Sequence, residues 1–187
     1  HCISSAASDV YKRQAWNSDT FFSLIKAFEL PTNNQIKTFS RGMRMKAALT
    51  IALSHDAKLL ILDEATAGMD VSGREHVLEI LEDYLGDDRA ILISSHISED
   101  IEQLATQLVF MRDGRIILKE SKEVLLSQYG IIDQPVEHFN ISNEYLIATR
   151  RRNDRQISLV NNYQKVPDAQ PLKTIDDATK IIMRGEV

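Results

Sequence analysis

Two adjacent carboxylates, Asp63 and Glu64, directly follow an apolar run over residues 59–62 and are well placed for chemistry. A continuous apolar run predicts a strand that is buried on both faces of a sheet. Ligands of open α/β sheets bind at the carboxyl edge of the strands, so both carboxylates are expected to face a crevice. There one acid can hold a metal ion while its neighbour accepts a proton from water. Asp63 and Glu64 are therefore candidates for these two roles.

A second apolar run, over residues 90–94, brings a histidine to the same kind of edge. The run predicts another buried strand, and it ends at Ser95-His96 before an acidic helix start over residues 98–100. A single histidine after a strand is more often structural than catalytic. His96 is expected to share its sheet edge with Asp63 and Glu64, and that arrangement favours a functional role.

A helix start upstream of the carboxylates could hold an anion. Ser40 and Gly42 lie in the segment Phe-Ser-Arg-Gly-Met over residues 39–43, and Ser40 is placed as the N-cap of a helical run. Unpaired N–H groups and the positive end of the helix dipole can bind a terminal phosphate at such a start. Taken alone, this segment is explained better by an ordinary capped helix.

A tight loop ending at Asp70 connects the two predicted strands through a helix. The helix is predicted over residues 72–85, because apolar residues recur there at helical spacing. Downstream, Asp113-Gly114 predicts the turn of a hairpin between residues 108–111 and 115–118. The alternation of strand and helix in this part of the chain predicts an α/β fold.

The order and spacing of these segments resemble the second half of an ATP-binding cassette, the ATPase of ABC transporters, over roughly residues 17–126. By that resemblance the signature motif contains Ser40 and Gly42, Walker B contains Asp63 and Glu64, the D-loop contains Asp70, and the switch histidine is His96. The resemblance implies ATP and Mg²⁺ as cofactors, with Asp63 as the metal ligand. It implies catalytic roles for Glu64 and His96, and nucleotide-binding roles for Ser40, Gly42 and Asp70.

The implied fold class is α/β, the C-terminal half of a P-loop NTPase (ABC ATPase) domain with part of its helical subdomain, plus a small α+β C-terminal accessory region. Residues 15–45 are expected to form the helical subdomain part with the signature motif, and residues 46–126 the catalytic core. Residues 127–187 are expected to form an accessory domain of short strands with a helix near residues 176–183. Residues 1–14 resemble a translated cloning scar and are expected to be a non-native leader.

The signature departs from the usual Leu-Ser-Gly-Gly-Gln, and its aromatic-Ser-basic-Gly-Met form resembles cassettes of bacterial exporters, including drug-resistance systems. This resemblance implies an ATP-hydrolysing subunit that powers export through a separate integral membrane permease. Its partners would be that permease and a second cassette, in a homo- or heterodimer. Its place would be cytoplasmic, peripheral at the inner face of the cell membrane.

Composition bounds the partners and the compartment. The net charge of −5 argues against broad nucleic-acid binding, so no nucleic-acid partner is expected. The arginines at positions 150–152 and 155 form the main basic cluster and are interpreted as a solvated turn. The single cysteine, Cys2, gives no disulfide framework and favours a reducing compartment.

The phosphate-binding loop Gly-x-x-x-x-Gly-Lys-Ser/Thr does not occur in the 187-residue sequence. Gly68 and Gly73 have the right spacing, but Arg74-Glu75 follow instead of lysine and a hydroxyl residue. We therefore expect an N-terminally truncated chain that is inactive alone. Two alternatives stay open: a soluble, non-transport ABC ATPase, and a non-catalytic cassette-derived binding fragment that exposes sheet surface.

Overall fold

The computed structural model describes residues 16–186, and the chain divides into two units between His96 and Ile97. The predicted leader over residues 1–14, with Cys2, lies outside the described residues. None of the described helices combines the length and the apolar character needed to span a membrane.

Unit 1 is a strand-helix-strand unit preceded by two helices. Its elements in chain order are α1 (Ser18–Ala27), α2 (Arg41–Leu53), β1 (Leu59–Asp63), α3 (Val71–Tyr84) and β2 (Ala90–Ser94). Strands β1 and β2 pair in parallel, in a register that runs from Leu59 opposite Ala90 to Asp63 opposite Ser94. The two predicted strands and the helix between them are therefore confirmed.

Each α-helix of unit 1 begins with a side-chain cap that satisfies one of its unpaired N–H groups. Asn17 accepts a hydrogen bond from the backbone N–H of Thr20 at 2.9 Å. Ser40 accepts one from Met43 at 3.1 Å, which confirms its predicted N-cap position. Asp70 caps α3 through the N–H of Gly73 at 3.0 Å.

Only one face of the β1–β2 sheet is covered within the described residues. Leu60 of β1 is 5% exposed, whereas Leu59 is 54%, Ile61 is 72% and Leu92 of β2 is 60% exposed. Successive side chains of a strand point to opposite faces, so the second face lacks any layer packed on it. The prediction of strands buried on both faces is wrong for this chain. The exposed sheet surface expected for a cassette-derived fragment is present.

The apolar face of helix α1 is not buried within unit 1. The sequence places Phe21, Phe22, Leu24, Ile25 and Phe28 on one helical face, yet no residue within α1 is buried. Phe28 is only 3% exposed, but it lies at the C-cap, and Phe22 is 66% exposed. Its apolar face therefore lacks a full layer of contacts in unit 1.

Unit 2 joins a hairpin, a four-stranded antiparallel sheet, three α-helices and two short 3-10 helices at Val136–His138 and Tyr163–Lys165. Its elements are α4 (Ser98–Leu104), β3 (Gln107–Arg112), β4 (Arg115–Ser121), α5 (Lys122–Gln128), β5 (Gly130–Pro135), β6 (Leu146–Arg152), β7 (Arg155–Val160), β8 (Gln170–Pro171) and α6 (Ile175–Arg184). The sheet order is β6-β7-β5-β8. Asp113 and Gly114 have φ of 50° and 73°, so the predicted turn between β3 and β4 has the left-handed backbone of a tight hairpin.

A large hydrophobic core holds most of unit 2 together, and a smaller cluster of Ile132, Val160 and Val166 lies apart from it. The buried face of α6 (Ile175, Ala178, Ile181 and Ile182) packs with residues of the hairpin, α5 and the sheet, including Leu108, Leu125 and Leu159. The structural division at residues 96 and 97 therefore lies earlier than the predicted domain boundary between residues 126 and 127, because elements on both sides of that boundary share this core. The predicted domain assignment itself stays a prediction.

The arginine cluster lies mostly within a strand instead of a turn. Arg151 and Arg152 end β6, and the two-residue connection to β7 is Asn153-Asp154. Both arginines are exposed, as is Arg155, which pairs with Asp133 at 2.8 Å. The predicted solvation of the cluster is confirmed for these three side chains.

We expect Gly130→Ala to destabilise unit 2, because an added Cβ would lie 2.4 Å from the Gln170 carbonyl oxygen and 2.5 Å from Tyr163 Cβ. Overpacking of this kind costs about 1–3 kcal/mol of unfolding free energy. Gly86→Ala is the matched control, since a Cβ there meets nothing within 4 Å. Urea unfolding followed by far-UV circular dichroism measures both variants. Equal midpoints would contradict the close approach at Gly130.

Tyr129 gives unit 2 a pH dependence in the alkaline range. Burial first, and then the Glu120 carboxylate that accepts its hydroxyl at 3.3 Å, raise the pKa of Tyr129 to about 12 from 10.0. The stabilisation from the neutral phenol is fully present below pH 10 and is lost as the pH rises through about 12. Absorbance titration should show a phenol ionising near pH 12 that is missing in Tyr129→Phe. An unchanged titration curve in that variant would refute the assignment.

Candidate functional site

At the carboxyl edge of the β1–β2 sheet, Asp63 contacts Ser94, a residue to which the sequence analysis assigned no role. Because the register sets Asp63 opposite Ser94, the Ser94 hydroxyl donates a hydrogen bond to Asp63 Oδ1 at 2.5 Å. The backbone N–H of Glu64 lies 3.2 Å from the same hydroxyl and 3.1 Å from the Ser94 carbonyl oxygen. Ser94 therefore fixes the carboxylate of one candidate residue and the backbone of the other.

Glu64 and His96 meet at this edge, as expected from the two strand ends. The distance between Glu64 Oε2 and His96 Nδ1 is 2.5 Å. Glu64 has a φ of 51°, a left-handed conformation that non-glycine residues seldom adopt and that often marks a functional turn. The side chain of Glu64 is 36% exposed and that of His96 is 71% exposed. The pair is open to solvent and to a ligand.

A hydrogen bond between this pair constrains the histidine. A carboxylate has only acceptor oxygens, so Nδ1 must carry the proton that it donates to Glu64 Oε2. The contact thus fixes the orientation of the ring and leaves Nε2 on its far side. The arrangement can hold a carboxylate ready to accept a proton while the other ring nitrogen faces a ligand.

Helix α2 begins against the loop that follows the carboxylates. A Cβ built on Gly42 would lie 3.5 Å from Met69 Cγ and 3.7 Å from the Gly68 carbonyl oxygen. Gly68 has a φ of 79°, and the side chain of Arg41 covers it, since a Cβ there would lie 2.8 Å from Arg41 Cδ. The start of α2 and the loop that ends at Asp70 therefore form one packed block.

The candidate residues fall into two groups: Ser40, Gly42 and Asp70 lie at helix starts, and Asp63, Glu64 and His96 lie at the sheet edge. Among the described hydrogen bonds and ion pairs, none joins Ser40 to Asp63, Glu64 or His96. Ser40 and Asp70 both act as helix caps. Their predicted roles toward a nucleotide stay predictions.

The oxygen donors at the edge suit a hard divalent cation. Within residues 16–186 no cluster of three or more His, Cys, Asp or Glu side chains could by itself hold a metal ion. Mg²⁺ is usually bound through one or two carboxylates together with substrate phosphates and water. Asp63, fixed by the Ser94 hydroxyl, offers a carboxylate of this kind. The residues present therefore fit a phosphate-bound Mg²⁺.

Ser94 could have been found from the sequence by aligning the ends of the two predicted strands. Asp63 is the last residue of β1 and Ser94 the last of β2. An exact parallel register would set them side by side, but the sequence alone leaves that register undetermined.

Comparison with known proteins shows which sequences this chain resembles. The family model described as ABC transporter matches residues 5–67. The lantibiotic transport ATP-binding protein SrtF of Streptococcus pyogenes is 37% identical over 116 residues, which are 62% of this chain and 47% of that protein. The linearmycin resistance ATP-binding protein LnrL of Bacillus subtilis is 32% identical over 120 residues, covering 63% of this chain and 38% of that protein. The chain thus spans about half the length of SrtF and less than half the length of LnrL.

Solved structures support the same fold. The structure of an ATP-binding subunit of an ABC transporter aligns with a TM-score of 0.52 at 24% identity, covering 57% of this chain and 47% of that one. At this identity, the similarity between the two structures shows a shared fold and nothing more. The sequence matches show that the chain is similar to ATP-binding proteins of bacterial ABC transporters, among them those named for lantibiotic transport and linearmycin resistance.

Proposed function

We propose that the intact protein is the ATP-hydrolysing subunit of an ABC exporter. The observation that carries this proposal is the contact of Glu64 with His96 beside the Asp63–Ser94 pair. A carboxylate that is held by a histidine and stands next to a candidate magnesium ligand suits the attack of water on a phosphoanhydride. The similarity to ABC transporter ATP-binding proteins supports the same reaction.

In the proposed reaction Glu64 orients a water molecule and accepts its proton. His96 keeps the Glu64 carboxylate in place through Nδ1 and contacts the γ-phosphate from the other side of its ring. Asp63 would hold Mg²⁺, and the bound ion would supply neutralisation of the charge that develops on the phosphate oxygens. Ser94 positions Asp63 through the hydroxyl hydrogen bond.

A second cassette, identical or different, would complete the site. Ser40 and Gly42 at the start of α2 would bind the γ-phosphate of ATP held by that partner, and Asp70 would link the two sites. The packing of Gly42 on Met69 and Gly68 supports this coupling, because a shift of α2 would be transmitted to the loop before Asp70. Binding energy would then close the dimer, and hydrolysis would permit reopening.

The proposed setting is the inner face of the cell membrane, with a separate integral membrane permease as partner and without nucleic acid. The names of the relatives support export, since SrtF is a lantibiotic transport protein and LnrL a linearmycin resistance protein. The soluble, non-transport ATPase gains no support from any observation on the described residues.

The 187-residue chain alone is proposed to be inactive. Its exposed face of Leu59, Ile61 and Leu92 favours a binding fragment for the isolated polypeptide. Calorimetric titration with Mg-ATP tests this. Micromolar affinity in the isolated chain would contradict the role assigned to the missing phosphate loop.

Glu64→Gln in the complete protein should leave ATP binding intact and lower turnover by about 10²–10⁴-fold, since an amide cannot accept the proton. Phosphate release and nucleotide binding measured on the same preparation separate the two effects. The control is Glu82→Gln, which changes an exposed side chain on α3. Near-normal hydrolysis by Glu64→Gln would remove Glu64 from its proposed role.

Ser94→Ala in the complete protein should lower turnover by about tenfold and raise the Mg²⁺ concentration needed for half-maximal rate, because Asp63 loses its hydrogen-bond donor. Ser94→Thr keeps a hydroxyl and should recover part of the loss. Ser127→Ala, at an exposed position of α5, serves as control. A slower rate with an unchanged Mg²⁺ requirement would show that Ser94 acts only on the fold.

A further inference from the structure

Unit 1 contains an open pocket of about 750 Å³ that is separate from the candidate site. Its walls come from the start of α1, the end of α2, the end of α3 and the segments that precede β1 and β2. None of the six candidate site residues lines it. We call it the Trp16 pocket and define it by Trp16, Asp19, His55, Asp83, Tyr84 and Arg89. Its volume lies in the range of small-molecule sites.

A buried histidine without a hydrogen-bond partner lines the Trp16 pocket. His55 is 7% exposed, and neither Nδ1 nor Nε2 has a partner among the described residues. The Trp16 ring covers it edge-on, with ring centroids 5.1 Å apart. Buried polar groups in folded proteins are nearly always paired, so the two nitrogens call for a partner that the described chain does not supply.

Carboxylates outnumber cations around the Trp16 pocket. Asp19, Asp56 and Asp83 line it together with a single basic residue, Arg89. The Arg89 guanidinium is neutralised by Asp56, at 3.1 Å. Asp19 and Asp83 form no ion pair among the described residues. The excess of negative charge favours a cationic ligand over a neutral or anionic one.

Aromatic rings complete the wall. The Tyr84 ring already holds the Arg89 guanidinium 5.0 Å from its centroid, which shows that this wall accommodates a cation against a π-face. Trp16 is 44% exposed, and its indole N–H is satisfied by the Ser18 hydroxyl at 3.1 Å. An exposed indole face whose polar atom is paired offers a stacking surface to an apolar ligand body.

We propose that the Trp16 pocket binds a small organic cation with an aromatic body. The ammonium group lies between Asp19 and Asp83 and donates one N–H to the unprotonated ring nitrogen of His55. The aromatic body stacks on Trp16, whose ring shifts to open the way to His55. The site is independent of the nucleotide site, since the two share no residue.

Fluorescence tests the proposal on the chain itself, because Trp16 is its only tryptophan. Titration with 2-phenylethylammonium should give a saturable change in indole emission. The neutral 2-phenylethanol and the anionic 3-phenylpropionate share the aromatic body but lack the positive charge. Both should therefore bind at least about tenfold more weakly. No saturable change with the cation, or equal binding of the alcohol, overturns the proposal.

Variants locate the binding. Asp19→Asn combined with Asp83→Asn should weaken the cation at least about tenfold, whereas Asp113→Asn, on the β3–β4 turn, removes an exposed charge and should leave it unchanged. His55→Phe keeps a ring in place and should weaken the cation several-fold without affecting the alcohol. Circular dichroism confirms that each variant is folded. Binding that survives the double Asp variant, or that Asp113→Asn weakens equally, refutes the site.

Discussion

The parallel pairing of β1 with β2 is the constraint on which the candidate site depends. Its register ends with Asp63 opposite Ser94, and that single alignment sets the hydroxyl hydrogen bond to Asp63 as well as the bonds that hold the Glu64 backbone. A slip of one residue would turn Asp63 to the other face of the sheet. The left-handed backbone of Glu64 then carries its carboxylate to His96. The helix α3 makes this register possible by linking the two strands as a crossover.

The energetics of unit 1 and unit 2 differ for a reason visible in their burial. Unit 2 closes a core in which Leu125, Leu159 and Ile182 are fully buried. In unit 1 helix α3 buries Val77 and Leu81 completely, yet the opposite sheet face stays exposed at Ile61. Exposed apolar area of this kind contributes nothing to stability and favours association. Asp63, Glu64 and His96 therefore lie at the edge of a sheet that is packed on only one face within the described residues.

The packed block of α2 and the following loop gives the proposed coupling a physical basis. Arg41 lies over Gly68 and Gly42 abuts Met69, so a ligand bound at the start of α2 is mechanically connected to the loop before Asp70. Arg41 stands where the proposed signature motif usually has glycine, and its side chain fills the space above Gly68, which has a positive φ. Gly68, which has no side chain, thus leaves room for the arginine at position 41.

The sequence alone determined the strand-helix-strand order, the caps at Ser40 and the turn at Asp113-Gly114, because local hydrophobic period and turn chemistry are written in neighbouring residues. It also predicted that Glu64 and His96 share an edge, since both follow apolar runs. The burial of the strands, the larger core of unit 2 that spans residues 126 and 127, and the contact of Ser94 with Asp63 were decided by tertiary structure. These depend on which layers pack on a sheet and on its register, and contacts between residues thirty or more positions apart leave no local pattern in the chain.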